Sequence, residues 1–198
     1  MTPRRHRWPF TDRAARRGLA RNRDGSVAVE FAMVLFPFLA MLFAIIEVAL
    51  ILTIDSVLEN AVVDTGRLVR TGQASAMGMT GEQFKEQLCS RMSVFSGDCD
   101  ARASIDVRVV TSFETPPDVD PVGSGVFDPT VPLAYSNGAP DNWMLVRVWY
   151  RHPLMTSFLS QALSRTADGE AVLSATTAFK NEPPGGGQPV STPPAATS

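Results

Sequence analysis

The chain is poor in the residues that build reactive centres. Among 198 residues there are two cysteines and two histidines. Two cysteines satisfy no four-ligand zinc site, and a lone pair fits one disulfide in an oxidising compartment. His152 is the only histidine outside the first 25 residues, so no second imidazole or spare thiolate completes a metal site or a nucleophilic pair. No glycine-rich phosphate loop is present. Asp118, Asp120 and Asp128 share one segment, but their spacing misses the EF-hand pattern, and solvated loop acids are the simpler reading. With no convergent set of titratable groups, an enzyme is not expected, nor a metal, a cofactor or a small-molecule substrate.

Charge is scarce in one stretch and lopsided elsewhere. Residues 1–25 hold eight arginines against Asp12 and Asp24, a net of +6. The rest of the chain holds ten basic residues against eighteen acids, a net of −8. Between basic head and acidic body, Phe31 to Ile46 runs sixteen residues without a charge. A basic tail and an acidic remainder exclude a nucleic-acid binder, because the body repels phosphate. Sixteen helical residues cover about 24 Å, short of a hydrocarbon core of about 30 Å. Extension back over Ser26–Glu30 and on through Glu47 and Val48–Ile54 gives a transmembrane segment over 26–54, about 43 Å long, with Glu30 and Glu47 near its ends. A cleaved secretory signal fits less well, since its apolar region is about 7–15 residues and Ile54-Asp55-Ser56-Val57 offers no small-x-small site. The arginines place residues 1–25 in the cytoplasm and the body on the other side. Pro37 lies mid-span and reads either as a soft point or as a proline simply tolerated by a membrane helix.

The leader meets this block at Arg23-Asp24-Gly25-Ser26-Val27-Ala28-Val29-Glu30-Phe31. A glycine closes the basic stretch, a small polar residue follows, and a glutamate stands five places after the glycine. Alone, Gly25 is an ordinary turn residue, and Glu30 could be a headgroup-level acid. Together with the basic leader and the apolar run they resemble the cleavage site of type IV prepilins, and most closely the TadE/TadG-like minor pseudopilins of the tight-adherence (Tad) pilus. The resemblance implies cleavage of Gly25–Ser26 by a prepilin peptidase and a role for Glu30 in assembly, paired with the new amino group of a neighbouring subunit. It also implies a bacterial inner-membrane location, with the N-terminus cytoplasmic and the C-terminal domain periplasmic. Implied partners are membrane lipid, the peptidase, other pilins or pseudopilins and the inner-membrane pilus platform. Glu47 matches a similar acid after the apolar run in that family, and otherwise marks the outer interface.

The physical chemistry agrees with these roles. Glycine leaves the backbone before the scissile bond unobstructed. Cleavage removes the charge that pins the leader inside and creates an amine of pKa about 7.7–8.0. A carboxylate within the bilayer costs about 2.5–3.5 kcal/mol at the centre and less near the edge, so it usually has a partner.

Beyond the apolar block, Ile54, Val57, Leu58, Ala61, Val62, Thr65, Leu68 and Val69 recur at helical spacing, opposite Asp55, Glu59, Asp64 and Arg67. One spine helix is expected from about Val27 to Val69, stopping at Thr71-Gly72. A short helix begins after Thr80, with an acid two residues on, and runs to about Ser93. Cys89 lies on it, and Cys99 follows a turn at Ser96-Gly97-Asp98. Free buried thiols are the alternative to a bridge, which the oxidising side of a membrane favours. Strands are expected at Ala103–Phe113, Trp143–Arg151 and Ala171–Lys180, with Asp106 and Arg108 outward and Val107 and Val109 inward on the first. Glu114–Asp141 is a long proline- and glycine-rich loop, and Pro153–Ser164 could form a helix on Leu154, Phe158, Leu159 and Leu163. Trp143, Trp149 and Tyr150 read as core or edge cover before a binding face. The tail 181–198 holds too little apolar residue to fold.

The expected architecture is α+β, a spine helix packed on a three-stranded antiparallel sheet. The competing class is a single-pass membrane protein with an unprocessed anchor, whose extracytoplasmic domain binds or senses a ligand through the 114–141 loop.

Overall fold

The computed structural model describes residues 24–112 and 119–183. The leader through Arg23, Phe113 at the expected end of the first strand, Asp118, the start of the long loop and the tail from residue 184 lie outside the described residues. The chain divides into two compact units, Met1–Phe43 and Ala44–Ser198.

The spine helix, α1, covers Asp24–Arg70 and passes through Pro37 without a break. Its start lies a turn ahead of the expected Val27, and Gly72 beyond its end has a left-handed φ of 74°, the conformation that glycine adopts at least cost. Short helices follow, α2 at Gln73–Ala76 and α3 at Gly81–Ser90. Thr80 caps α3, but the reciprocal partner is Gln83 rather than the acid Glu82, giving a full capping box. The segment then turns through a 3₁₀ stretch at Ser93–Phe95 into α4, Ser96–Arg102. Cys99 therefore sits within a helix, and Ser96-Gly97-Asp98, expected as a turn, forms its first turn. Cys89 and Cys99 form a disulfide across a Cα–Cα distance of 5.4 Å.

Three strands make one antiparallel sheet in the order β1-β2-β3: β1 Ala103–Val110, β2 Trp143–Pro153 and β3 Glu170–Lys180. Helix α5, Ser157–Leu163, joins β2 to β3. β1 ends earlier and β2 later than the sequence pattern implied. The register aligns Val107 with Val146 and Val146 with Thr177, so one face carries Val107, Val146, Val148, Tyr150, Met144 and Ala175. That face meets Ile54, Leu58, Ala61, Val62 and Val69 of α1, with Phe84 and Leu88 of α3, in one core. Close approach is needed where α1 crosses β3: a Cβ on Gly66 would lie 3.2 Å from the Phe179 ring.

The opposite sheet face departs from expectation. Asp106 is expected outward, yet it is fully buried; Val109, expected inward on the face of Val107, is exposed near the end of β1. For Asp106 the reason is a second cover. The segment after β1 returns along its free edge, where Val107 N–H donates to Ala134 O and Ser136 N–H to Val107 O, each at 2.8 Å. Tyr135 then packs on Phe84 with ring centroids 5.5 Å apart. Trp149 and Tyr150 are buried, which fits core cover, and Trp143 is exposed at the start of β2.

A loop of this length contributes about 3 kcal/mol when cross-linked, in the chain-entropy account. The double variant Cys89→Ser/Cys99→Ser is expected to melt about 6–12 °C lower than the parent by thermal denaturation.

Candidate functional site

Along α1, residues 25–46 are exposed, apart from half-buried Leu35 and Ala44, and apolar but for Ser26 and Glu30, and the helix is long and apolar enough to cross a membrane. Phe31, Met33, Val34, Phe36 and Phe38 point away from any cover in the chain's described residues. Keeping such a surface in water costs about 25 cal/mol per Å², so a patch of this extent favours lipid or other helices as its cover.

Gly25 and Ser26 lie in the first turn of α1, and nothing stands within 4 Å of where a Gly25 Cβ would be. The peptide bond expected to be cut is thus helical and unobstructed. Glycine weakens a helix by about 1 kcal/mol relative to alanine, so this turn opens easily. Ser26 Oγ donates to Glu30 Oε1 at 3.0 Å, one helical turn on. The structure thereby brings together all three sequence-expected residues of the junction, and Glu30 uses one oxygen within the turn.

Glu47 behaves differently. It is 6% exposed, far from a solvated marker at an interface. Its two carboxylate oxygens accept the backbone N–H groups of Met155 and Thr156, the latter at 2.9 Å, and the Thr156 side chain adds a further hydrogen bond. This ties the spine helix to the turn entering α5. His152, at the end of β2, is 7% exposed, and among the described residues neither ring nitrogen has a hydrogen-bond partner. Burial pushes its pKa below the ordinary value, Arg102 adds to this, and Glu47 and Glu170 oppose it.

A second buried carboxylate organises the far sheet face. Asp106 accepts from Arg108 Nε at 2.8 Å, from Arg147 Nη2 at 2.8 Å and from the Ala134 N–H at 3.0 Å, with a further ion pair to Arg108 Nη2. Burial alone would raise its pKa, but these donors from Arg108, Ala134 and Arg147 hold it below the usual carboxylate value. Arg147 also lies over the Trp149 ring, 5.3 Å from its centroid. Sequence reading missed this cluster, although Asp106, Arg108 and Arg147 fall on one sheet face once Asp106 pairs with Arg147 across the ladder. The Asp106 carboxylate is fully engaged, although the buried Arg147 Nε has no hydrogen-bond partner among the described residues, and the cluster fastens the loop at Ala134.

The loop acids expected to be solvated hold their own backbone. Asp120 accepts from Val122 N–H and Asp128 from Thr130 N–H and hydroxyl. No group of three metal-binding side chains occurs among the described residues.

A helix long and apolar enough to cross a membrane, together with an α+β fold built on a three-stranded antiparallel sheet, is consistent with a membrane-anchored protein. Residues 25–67 match the family model of TadE-like protein. That family is structural rather than catalytic. The match spans the junction, the apolar run, Glu47 and most of α1, and leaves the sheet, the loop and the disulfide outside it. No curated protein and no solved structure matches the chain.

Removing the Glu47 carboxylate strands two amide donors, a loss of about 1–3 kcal/mol each where they stay dry. Glu47→Ala is expected to speed hydrogen exchange at Met155 and Thr156 strongly while leaving the β2 amides near Val146 protected, as read by exchange mass spectrometry. His152 gives a second test. Its folded pKa lies below the unfolded value of about 6.5, so the unfolded chain takes the proton first and stability falls as pH drops below 6.5. Between pH 7.5 and 5.5 the parent is expected to lose more thermal stability than His152→Gln, by up to about 1.4 kcal/mol for the histidine's share.

Proposed function

We propose that this protein is a minor pseudopilin acting in Tad pilus biogenesis or secretion. It inserts with the basic leader in the cytoplasm, is cut by a prepilin peptidase after Gly25, and packs laterally through α1 using Glu30. The observation that carries this reading is a largely apolar helical surface over 25–46, uncovered among the described residues and beginning at the Gly25-Ser26…Glu30 junction.

Glu30 already accepts the Ser26 hydroxyl, which holds its carboxylate beside the residue that becomes the chain start after cleavage. The unused oxygen remains for a cation, and the α-amine of a neighbouring Ser26 supplies one of the right charge. Within the proposed transmembrane segment 26–54, the lipid-embedded part ends at Ile46, because Glu47 is taken up by the domain. Those 21 residues cover about 31 Å, a hydrocarbon thickness. The domain lies on the periplasmic side, where the disulfide is stable. The partners follow from these steps: lipid, the peptidase, sister pilins or pseudopilins and the platform they assemble on. The loop that a ligand sensor would need free is instead fastened by Asp106 at Ala134 and by Asn181 at Asn137 and Ala139, which favours the pseudopilin reading.

N-terminal sequencing of membrane-extracted protein tests the processing step. The mature chain is expected to begin at Ser26 in cells with the peptidase and to keep its leader in cells without it; an intact leader in both refutes the proposal. Glu30→Gln is expected to insert at the parental level yet lose piliation, as removal of one member of a buried charge pair costs about 2–5 kcal/mol. Parental piliation in that variant would exclude the assembly role.

A further inference from the structure

We propose that the turn into α5 and that helix, residues 153–165, form a second contact with the bilayer, lying in the interface on the domain's side of the membrane. The inference rests on the reading of α1 as a membrane span and adds a site that the span does not supply.

The placement comes from Glu47. Its carboxylate holds the Met155 and Thr156 amides, so the turn sits at the level where exposed apolar α1 gives way to packed α1. On the helix beside it, Ile45, Ile46, Val48 and Leu52 are all exposed. On the turn, Met155 is 86% exposed, and Phe158, the second residue of α5, is 75% exposed. The sequence pattern expected Phe158 to face the core, and a soluble domain gains nothing by showing a phenylalanine and a methionine side by side. An apolar pair at the depth of a hydrocarbon boundary has a simple occupant, the acyl region just below the headgroups.

Charge agrees. Residues 153–165 contain no Asp or Glu although the body as a whole is acidic, and their one cation is Arg165, exposed just past the end of α5. An apolar tip that carries no acid of its own, is flanked by a cation, and meets a carboxylate only at the buried, hydrogen-bonded Glu47 matches an anionic bilayer surface. The two contacts act together: α1 anchors the chain, and the α5 tip limits rotation of the domain about the helix axis. A fixed azimuth presents the same side of α1 to neighbouring subunits.

The experiment places a benzophenone amino acid at Phe158 in the full chain, reconstituted in phosphatidylcholine–phosphatidylglycerol vesicles, and reads adducts by mass spectrometry after illumination. Parallel chains carry the probe at Phe38, within the apolar run, and at Val94, exposed on the 3₁₀ turn with no tie to Glu47. The inference expects a one-phospholipid mass gain at Phe38 and Phe158, with lipid yield at Phe158 roughly tenfold or more above Val94, the partition expected for a buried aromatic. Lipid adducts at Phe38 alone overturn the second contact and leave the span intact. Adducts of Phe158 to another copy of the chain assign the patch to assembly and overturn the lipid contact. No lipid adduct at either position overturns the span and with it this inference.

Discussion

The carboxylate of Glu47 decides where one kind of structure ends and another begins. An acid on an otherwise apolar helix is unfavourable unless something receives it, and here two backbone amides and a hydroxyl do. These donors come from a turn distant in sequence, so satisfying Glu47 requires β2 and α5 to be folded against the helix. Below this point the spine helix is left bare. From Leu50 onward its inward residues enter a core with the sheet. One hydrogen-bonded residue thus couples the depth of the helix in its surroundings to the folding of the domain.

The bare half of the helix is the other constraint. Side chains such as Phe31, Phe36, Phe38 and Phe43 find no cover within the described chain. Such a surface is covered at least cost by lipid or by other helices. The two glutamates bracket this surface with opposite arrangements. Glu47 is engaged by its own domain, whereas among the described residues Glu30 accepts only the Ser26 hydroxyl one helical turn away.

Much of this was legible in the sequence. The spine helix showed itself because its apolar period persisted from the uncharged block into Ile54, Leu58, Ala61 and Val62, and a 3.6-residue stripe survives any detail of packing. The three strands were visible through alternation, and the Gly25, Ser26 and Glu30 constellation through spacing. What stayed hidden depended on contacts between distant segments. Asp106 looked like a solvated strand residue because nothing local reveals that the 119–142 segment returns to cover it or that Arg147 stands opposite. Glu47 looked like an interface marker because its donors are backbone amides, which leave no trace in side-chain identity. Phe158 looked like core because helical spacing tells which residues share a face, not what that face meets.

The central claim is that α1 lies in lipid up to Ile46 and leaves it at Glu47. A nitroxide scan from residue 31 to residue 54 of the full chain in bilayers reads this directly, since both native cysteines are held in the disulfide and do not take up label. The account predicts high oxygen and low nickel-chelate accessibility on exposed positions through Ile46, with the preference reversing at the exposed positions that follow. Uniform chelate accessibility from Phe31 onward would contradict it.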